Sequence, residues 1–269
     1  MADTEDWEIP LIDTSLAHSA RVYDYWLGGK DNYAVDRELG DRSLEAAPEL
    51  RDIARENRRF LQRAVRAVAS LGIRQFLDIG TGIPTQGNTH EVAQSVTPEA
   101  RVAYVDNDPI VLAHSRALLT GTPEGSINVI QEDLRRPDAI LRSPEVRDTL
   151  DFAEPMAIML VSVLQFIPDA DDPAAIVARL CAEAAPGSYL VISHPTSDFR
   201  ADAVGQVQAS YNQAKVAATA RGKAQIAGFF GDLELLDPGL VRTPLWRPDG
   251  PPTADLDRIW MYGGVGAKR

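Results

Sequence analysis

From Gln75 onward, short apolar runs alternate with amphipathic stretches, and this alternation constrains the fold more than any other feature of the chain. Residues 75–79 run into Gly80-Thr81-Gly82, residues 102–105 end at Asp106-Asn107-Asp108, and residues 127–130 end at Glu132-Asp133. Residues 157–161 are apolar without a break, as suits a strand covered on both faces, and 189–193 form a fifth run after Pro186-Gly187. Helices are expected between them, at 109–119 and 173–184. Strands alternating with helices in this way require right-handed crossovers and a mainly parallel, doubly wound α/β sheet.

The two ends of the chain differ in kind from this middle. Residues 1–17, acidic and without periodicity, read as a disordered or loosely attached terminus. Residues 18–72 read as a helical extension or lid and 73–269 as the main domain. Within the extension, helices are expected at 19–26, closed by Gly28-Gly29, at 33–44, and from Pro48 to Gly72. In the last of these, Leu50, Ile53, Ala54, Phe60, Leu61, Ala64, Val65, Val68 and Leu71 keep the spacing of one buried face. Toward the C-terminus a helix at 201–221 and a short one at 226–230 precede strands at 233–236 and 258–265. No helix separates those two strands, so an antiparallel pair is expected at one side of the sheet.

Composition narrows the partners. With 39 acidic and 27 basic side chains the net charge is −12, which opposes attraction to a phosphate backbone, so no nucleic acid is expected. Arg51, Arg55, Arg58, Arg59, Arg63 and Arg66 crowd one stretch, either as a solvated helix face or as a local basic patch. Cys181 is the only cysteine, so no intrachain disulfide forms and a reducing, cytoplasmic setting is expected. The N-terminus lacks the pattern of a signal peptide, and the most apolar run, 157–167, falls short of the ~20 residues of a membrane span. No set of His, Asp and Glu has metal-ligand spacing. The oligomeric state is not legible.

Ligands of open α/β sheets bind at the carboxyl ends of strands, where the polar clusters fall. The glycines at 80 and 82 allow a close backbone approach, or simply make a tight turn. Asp106 is placed to accept hydrogen bonds from ribose hydroxyls; equally, Asp106 or Asp108 is placed to cap the next helix. Asp133-Leu134 is placed to bind and cover a purine, though Asp133 alone suits a turn. Thr85, after Pro84, stands where a dinucleotide fingerprint has its third glycine, and no P-loop lysine follows. Adenosine without phosphates is the ligand that fits best.

These segments resemble the class I S-adenosylmethionine-dependent methyltransferases: FLDIGTG their first motif, YVDNDP their ribose-binding acid, QEDL their adenine-contacting strand end, AAPGSYLVIS the helix, turn and fifth strand that follow. More narrowly, ARVYDYWLGGKDNYAVDRE, ENRRFLQRAV, FLDIGTGIPTQGNTHEVAQ and DPGLVRTPLWRPD resemble the actinobacterial S-adenosyl methyltransferase family first catalogued as a domain of unknown function. Pro84 departs from the broad class, where a third glycine is common. The resemblance implies a seven-stranded Rossmann-like sheet with an antiparallel last strand and S-adenosylmethionine as cofactor. It implies that Asp78, Gly80, Thr81 and Gly82 surround the methionine portion, that Asp106 holds the ribose and that Asn107, Asp133 and Leu134 lie at the adenine. Ser162 and Gln165 would lie near the sulfonium and the acceptor.

Methyl transfer needs a general base only if the acceptor must lose a proton. His194, directly after the fifth strand, is the candidate by position, or else a turn residue before Pro195. Tyr23, Tyr25, Gly29 and Tyr33 belong to an aromatic, glycine-hinged segment that either closes over the site and shapes the acceptor pocket or packs on the core. The expected activity is methylation of a small-molecule acceptor. The alternatives are a regulatory protein that binds the cofactor without turnover and a nicotinamide-dependent oxidoreductase.

Overall fold

The five apolar runs pair as parallel strands in the computed structural model, which describes residues 13–251 and 255–269. They are β1 (Gln75–Ile79), β2 (Arg101–Asp106), β3 (Ser126–Gln131), β4 (Ala157–Val161) and β5 (Tyr189–Pro195). Three more strands follow, β6 (Glu234–Leu235), β7 (Val241–Arg242) and β8 (Met261–Ala267). The sheet order is β3-β2-β1-β4-β5-β8-β6, with β7 also on β8, and β8 runs antiparallel to β5. The first twelve residues of the expected loose terminus lie outside the described residues.

The helices are α1 (Ser19–Leu27), α2 (Ala34–Ala46), α3 (Leu50–Ser70), α4 (Thr89–Val96), α5 (Pro109–Leu118), α6 (Pro137–Arg142), α7 (Pro144–Thr149), α8 (Pro173–Glu183), α9 (Ala201–Gln213) and α10 (Lys223–Gly228). Residue parity along each strand decides which helices it meets. In β1, Phe76 joins Val102, Met159 and Val191 against Phe60, Ala64 and Val68 of α3. Leu77 and Ile79 join Ile158, Leu160 and Ile192 against Ile140 of α6 and Val177 and Leu180 of α8. Each fully buried side chain of this size stabilises the fold by roughly 1.5–3 kcal/mol. Gly263 in β8 lets Phe60 close in, since a Cβ there would sit 2.7 Å from its ring.

Two expectations are corrected. The sheet has eight strands rather than seven, because the edge beside β8 is broken in two. Leu236 still donates to the Val265 carbonyl at 2.8 Å, but Pro238 has no N–H, and the chain leaves the ladder until Val241 pairs with Gly263. The helix expected at 201–221 stops at Gln213. Lys215 takes a left-handed conformation (φ 61°), Thr219 donates to the Gln165 carbonyl at 2.8 Å, and Arg221 bridges to Thr196 in parallel. Residues 214–220 therefore cross the carboxyl end of the sheet in irregular form. A third apolar cluster holds α1, α2 and the start of α3 against α9, Trp260 and Met261.

Candidate functional site

The carboxyl ends of β1–β4 open into a cavity of about 460 Å³. Its near wall is the turn after β1, where Gly80 and Gly82 have φ of 75° and 66°. Both conformations suit glycine, and a Cβ on Gly80 would lie 2.4 Å from Val163 Cγ2. The Gly82 amide donates to Asp106 Oδ2 at 2.8 Å, and the Asp108 amide donates to Asp106 Oδ1 at 3.0 Å. The helix cap falls to Asp108, whose Oδ1 accepts from Ile110 N at 2.9 Å. Asp106 is thus spared for the cavity, with one backbone donor on each oxygen and lone pairs remaining. Burial raises its pKa, opposed by those two amides.

Asp78 lies beside it, buried, accepting from Thr89 Oγ1 at 2.6 Å. Burial pushes its pKa up to about 6, against the lowering effects of the Thr89 hydroxyl and the nearby Arg58 guanidinium. Arg58 Nε is buried and has no hydrogen-bond acceptor among the described residues. At the end of β3, Asp133 receives Arg135 as a bidentate partner, which holds its carboxyl below the usual range despite partial burial. Leu134 is buried next to it, and Asn107 lines the same wall. Ser162 (φ 57°) follows β4, and its carbonyl and hydroxyl accept from Gln165 Nε2 at 2.9 and 2.8 Å.

All nine residues expected at the cofactor line this one cavity, as do Tyr23 and Gln165. Tyr25, Gly29 and Tyr33 do not. The Tyr25 hydroxyl donates to Asp41 Oδ1 at 2.7 Å, and its ring carries the Arg51 guanidinium at 5.6 Å. Tyr33 is the N-cap of α2 and packs under Arg21, 5.4 Å from the ring centre. Gly29 makes room for Asp24, whose Oδ1 would sit 1.8 Å from a Cβ. On α1 the cavity face is Ser19, Ala20, Tyr23 and Trp26, at helical spacing, and Tyr25 points elsewhere.

His194 is the larger correction. It is fully buried and absent from the cavity lining. Guanidinium nitrogens only donate, so His194 Nε2, 3.0 Å from Arg221 Nη1, must accept, and Nδ1–H donates to the Pro195 carbonyl at 2.6 Å. Burial, with Arg221 adding to it, lowers its pKa to about 3. An unfolded chain would protonate this ring below about pH 6.5, so its contribution to stability is lost as pH falls from there toward 3. Imidazole 15N spectra at pH 5 should show one neutral Nδ1–H ring; a midpoint near 6.5 for His194 would contradict this burial.

Sequence reasoning missed the far wall. Val204, Val207 and Tyr211 of α9, with residues 215–220, Trp260 and Met261, complete the cavity opposite the strand ends. The 204, 207, 211 spacing marks a helical stripe, but a stripe does not say what it faces. His18 also lines the cavity, where Nδ1 lies 3.0 Å from Asp108 Oδ2 and ties α1 to the end of β2.

A mainly parallel sheet with a reversed β8, a glycine turn and an acid at the end of β2 give the site a Rossmann-like frame. A family model described as S-adenosyl methyltransferase matches residues 5–269, and the chain belongs to that family. It is an S-adenosylmethionine-dependent methyltransferase. Among solved structures, a DUF574 family protein from Streptomyces avermitilis is 46% identical, with TM-score 0.93 over 96% of this chain and 99% of that one. A candidate methyltransferase from Thermobifida fusca is 43% identical, with TM-score 0.89 over 98% and 99%. Comparison with curated proteins gives no match. Neither the regulatory nor the nicotinamide alternative gains support from these matches. Among the described residues, no helix is long and apolar enough to cross a membrane.

Proposed function

We propose that this enzyme methylates a small-molecule acceptor in the cytoplasm, with residues 73–269 carrying the cofactor, Arg58 joining them at its carboxylate, and the helices of residues 18–72 closing the acceptor side. The carrying observation is the continuity of one cavity, from carboxylates at the strand ends to an apolar chamber between α1, α3 and α9. The donor set suits S-adenosylmethionine: carboxylates for hydroxyl and amine donors, and the unpartnered Arg58 Nε for a carboxylate. When bound, that cofactor supplies a methyl group on a positively charged sulfur.

In this reading Asp106 accepts both ribose hydroxyls while Gly82 N–H and Asp108 N–H hold it still. Asp133 accepts from the adenine amine, Leu134 covers the ring and Asn107 borders it. Asp78 pairs with the methionine ammonium, and the Gly80-Thr81-Gly82 backbone lies along the chain. Ser162 sits at the sulfur with Gln165 behind it. Tyr23 keeps α1 in place, since its hydroxyl donates to the Ala54 carbonyl at 2.9 Å and accepts from Asn57 at 3.0 Å. The chamber excludes water and orients the acceptor, which is how positioning lowers the barrier of an in-line displacement. The chain's net charge of −12 favours a small molecule over a nucleic acid.

Titration calorimetry with S-adenosylhomocysteine tests the reading. Asp78 is neutral below about pH 6 and then offers the ammonium no charge, so affinity should fall by up to about tenfold per pH unit below that value. Asp78→Asn should flatten this profile, while a parent profile already flat from pH 5 to 7.5 argues against the ammonium contact. In the free protein the sign is reversed. The fold holds the Asp78 proton more tightly than the unfolded chain, so this group's contribution to stability declines as pH rises from about 4 to 6.

A further inference from the structure

We propose that the acceptor is an uncharged, flat aromatic molecule whose reacting atom is an N–H nitrogen, and that Gln165 Oε1 accepts the hydrogen bond that aims it. The proposal rests on the methyltransferase reading above and names the chemistry of its acceptor.

The orientation of the Gln165 amide is not arbitrary. The Ser162 carbonyl only accepts, so the nitrogen of the amide must face it, at 2.9 Å. Oε1 is left buried and without a partner among the described residues, in a residue that is 7% exposed and lines the cavity. An orphaned buried carbonyl costs about 1–3 kcal/mol, and a donor brought by the acceptor would recover that. The Tyr211 hydroxyl, also at the cavity, has no hydrogen bond among the described residues, and burial alone pushes its pKa well up.

The surrounding walls are aromatic. Phe166 stacks on Tyr211 with centroids 6.0 Å apart and 29° between planes, and Trp26 meets Tyr211 edge-on at 6.3 Å. The polar atoms of Tyr23, Trp26 and Trp260 already have protein partners, the Tyr23 hydroxyl at Ala54 and Asn57. Trp26 Nε1 donates to the Gly40 carbonyl at 3.3 Å, and Trp260 Nε1 donates to Glu49 at 3.2 Å. What remains for a guest is ring surface, which favours a flat π-system. Charge is divided along the cavity: Asp78, Asp106, Glu132, Asp133 and Arg135 lie at the strand ends, and Arg58 of α3 turns toward them, its Nη2 donating to the Gly87 carbonyl at 3.2 Å. Apart from Arg58, the Lys or Arg lining the helical side is Lys215, which is exposed. A charged acceptor would lose its hydration there without a buried counter-charge.

The reacting atom follows from the proton. Gln165 cannot take a proton, His194 is neutral and engaged behind the wall, and His18 is tied to Asp108 next to Asp106 at the ribose end of the cavity, so a hydroxyl beside Gln165 would have no base to ionise it. A neutral nitrogen needs none. Its lone pair forms the N–C bond, the C–S bond breaks with its electron pair left on sulfur, and the N–H proton leaves to solvent after transfer.

The test uses three matched rings, 3-aminoquinoline, 3-hydroxyquinoline and quinoline-3-carboxylate, titrated into parent protein saturated with S-adenosylhomocysteine. Methyl transfer to each is followed in parallel from labelled S-adenosylmethionine. The amine should bind at least tenfold more tightly than the other two and alone accept label. Gln165→Met, checked for an unchanged melting temperature and measured at cofactor saturation, should weaken amine binding about tenfold, the worth of one hydrogen bond. Gln165→Leu serves if the first variant is unstable. Preference for the hydroxyl or carboxylate, binding of none of the three, or amine binding indifferent to both variants overturns the proposal. Failure of the parent to bind S-adenosylhomocysteine would instead sink the cofactor reading on which it rests.

Discussion

Arg221→Met is expected to lower the melting temperature by about 10 °C. The guanidinium is 1% exposed and donates to the carbonyls of Leu164 (2.9 Å) and Ile167 (2.8 Å), to Asp169 Oδ1 (2.6 Å) and to His194 Nε2 (3.0 Å). Methionine fills part of the volume but donates nothing. Asp169 is 69% exposed and turns to water, so its loss is small. The two carbonyls and the imidazole nitrogen have no such recourse, and breaking a buried charged network of this kind costs about 3–5 kcal/mol. At roughly 2–4 °C per kcal/mol for a chain of this size, the shift should be plain in a thermal melt. A change under about 2 °C would show that water replaces the guanidinium and that the segment is not anchored this way. Since Arg221 closes residues 214–220 over the cavity, the same variant should weaken acceptor binding more than cofactor binding.

Asp106→Asn should do the opposite, sparing the fold and removing the cofactor. As a carboxylate, Asp106 takes a backbone amide on each oxygen and keeps lone pairs for two hydroxyls. An asparagine can offer only one oxygen, and its NH2 group faces either Gly82 N–H or Asp108 N–H. Two hydrogen bonds to a charged acceptor are worth about 1.5–3 kcal/mol each, so S-adenosylhomocysteine should bind about a hundredfold or more weakly. Stability should change by only a few degrees, because removing a carboxylate whose pKa burial has raised also removes a desolvation cost. Calorimetry and a melting curve on one preparation separate the two effects. Cofactor affinity within threefold of the parent would mean that the ribose is held elsewhere.

The side chains that the sequence misassigned were misread in direction, not in location. His194 does stand at the end of β5, but along that strand it shares parity with Leu190 and Ile192, which face the α8 side, and its ring lies beside Phe229. Ser193 has the opposite parity, and its hydroxyl reaches Asn57 of α3 at 2.6 Å. Pro195, with the same parity as Ser193, lines the cavity. Parity is legible in a strand, but which parity meets the site depends on where the helices pack. The choice between Tyr23 and Tyr25 has the same character, because an aromatic cluster on one helix points in several directions and only docking on α3 selects among them.

What the sequence determined by itself were the parallel strands and the ends of β1, β2 and β3, because apolar runs and the glycine turn are local properties of a few adjacent residues. Asp78, Asp106 and Asp133 follow directly, since each lies within or just beyond such a run and strands of one sheet bring their ends together. The division of the edge strand, the end of α9 at Gln213 and the wall built by residues 214–220 were decided only in the tertiary structure. Those features depend on partners distant in the chain, above all the carbonyls and carboxylate that receive Arg221 from more than fifty residues away. No local pattern encodes a hydrogen bond whose acceptor exists only after the sheet has formed.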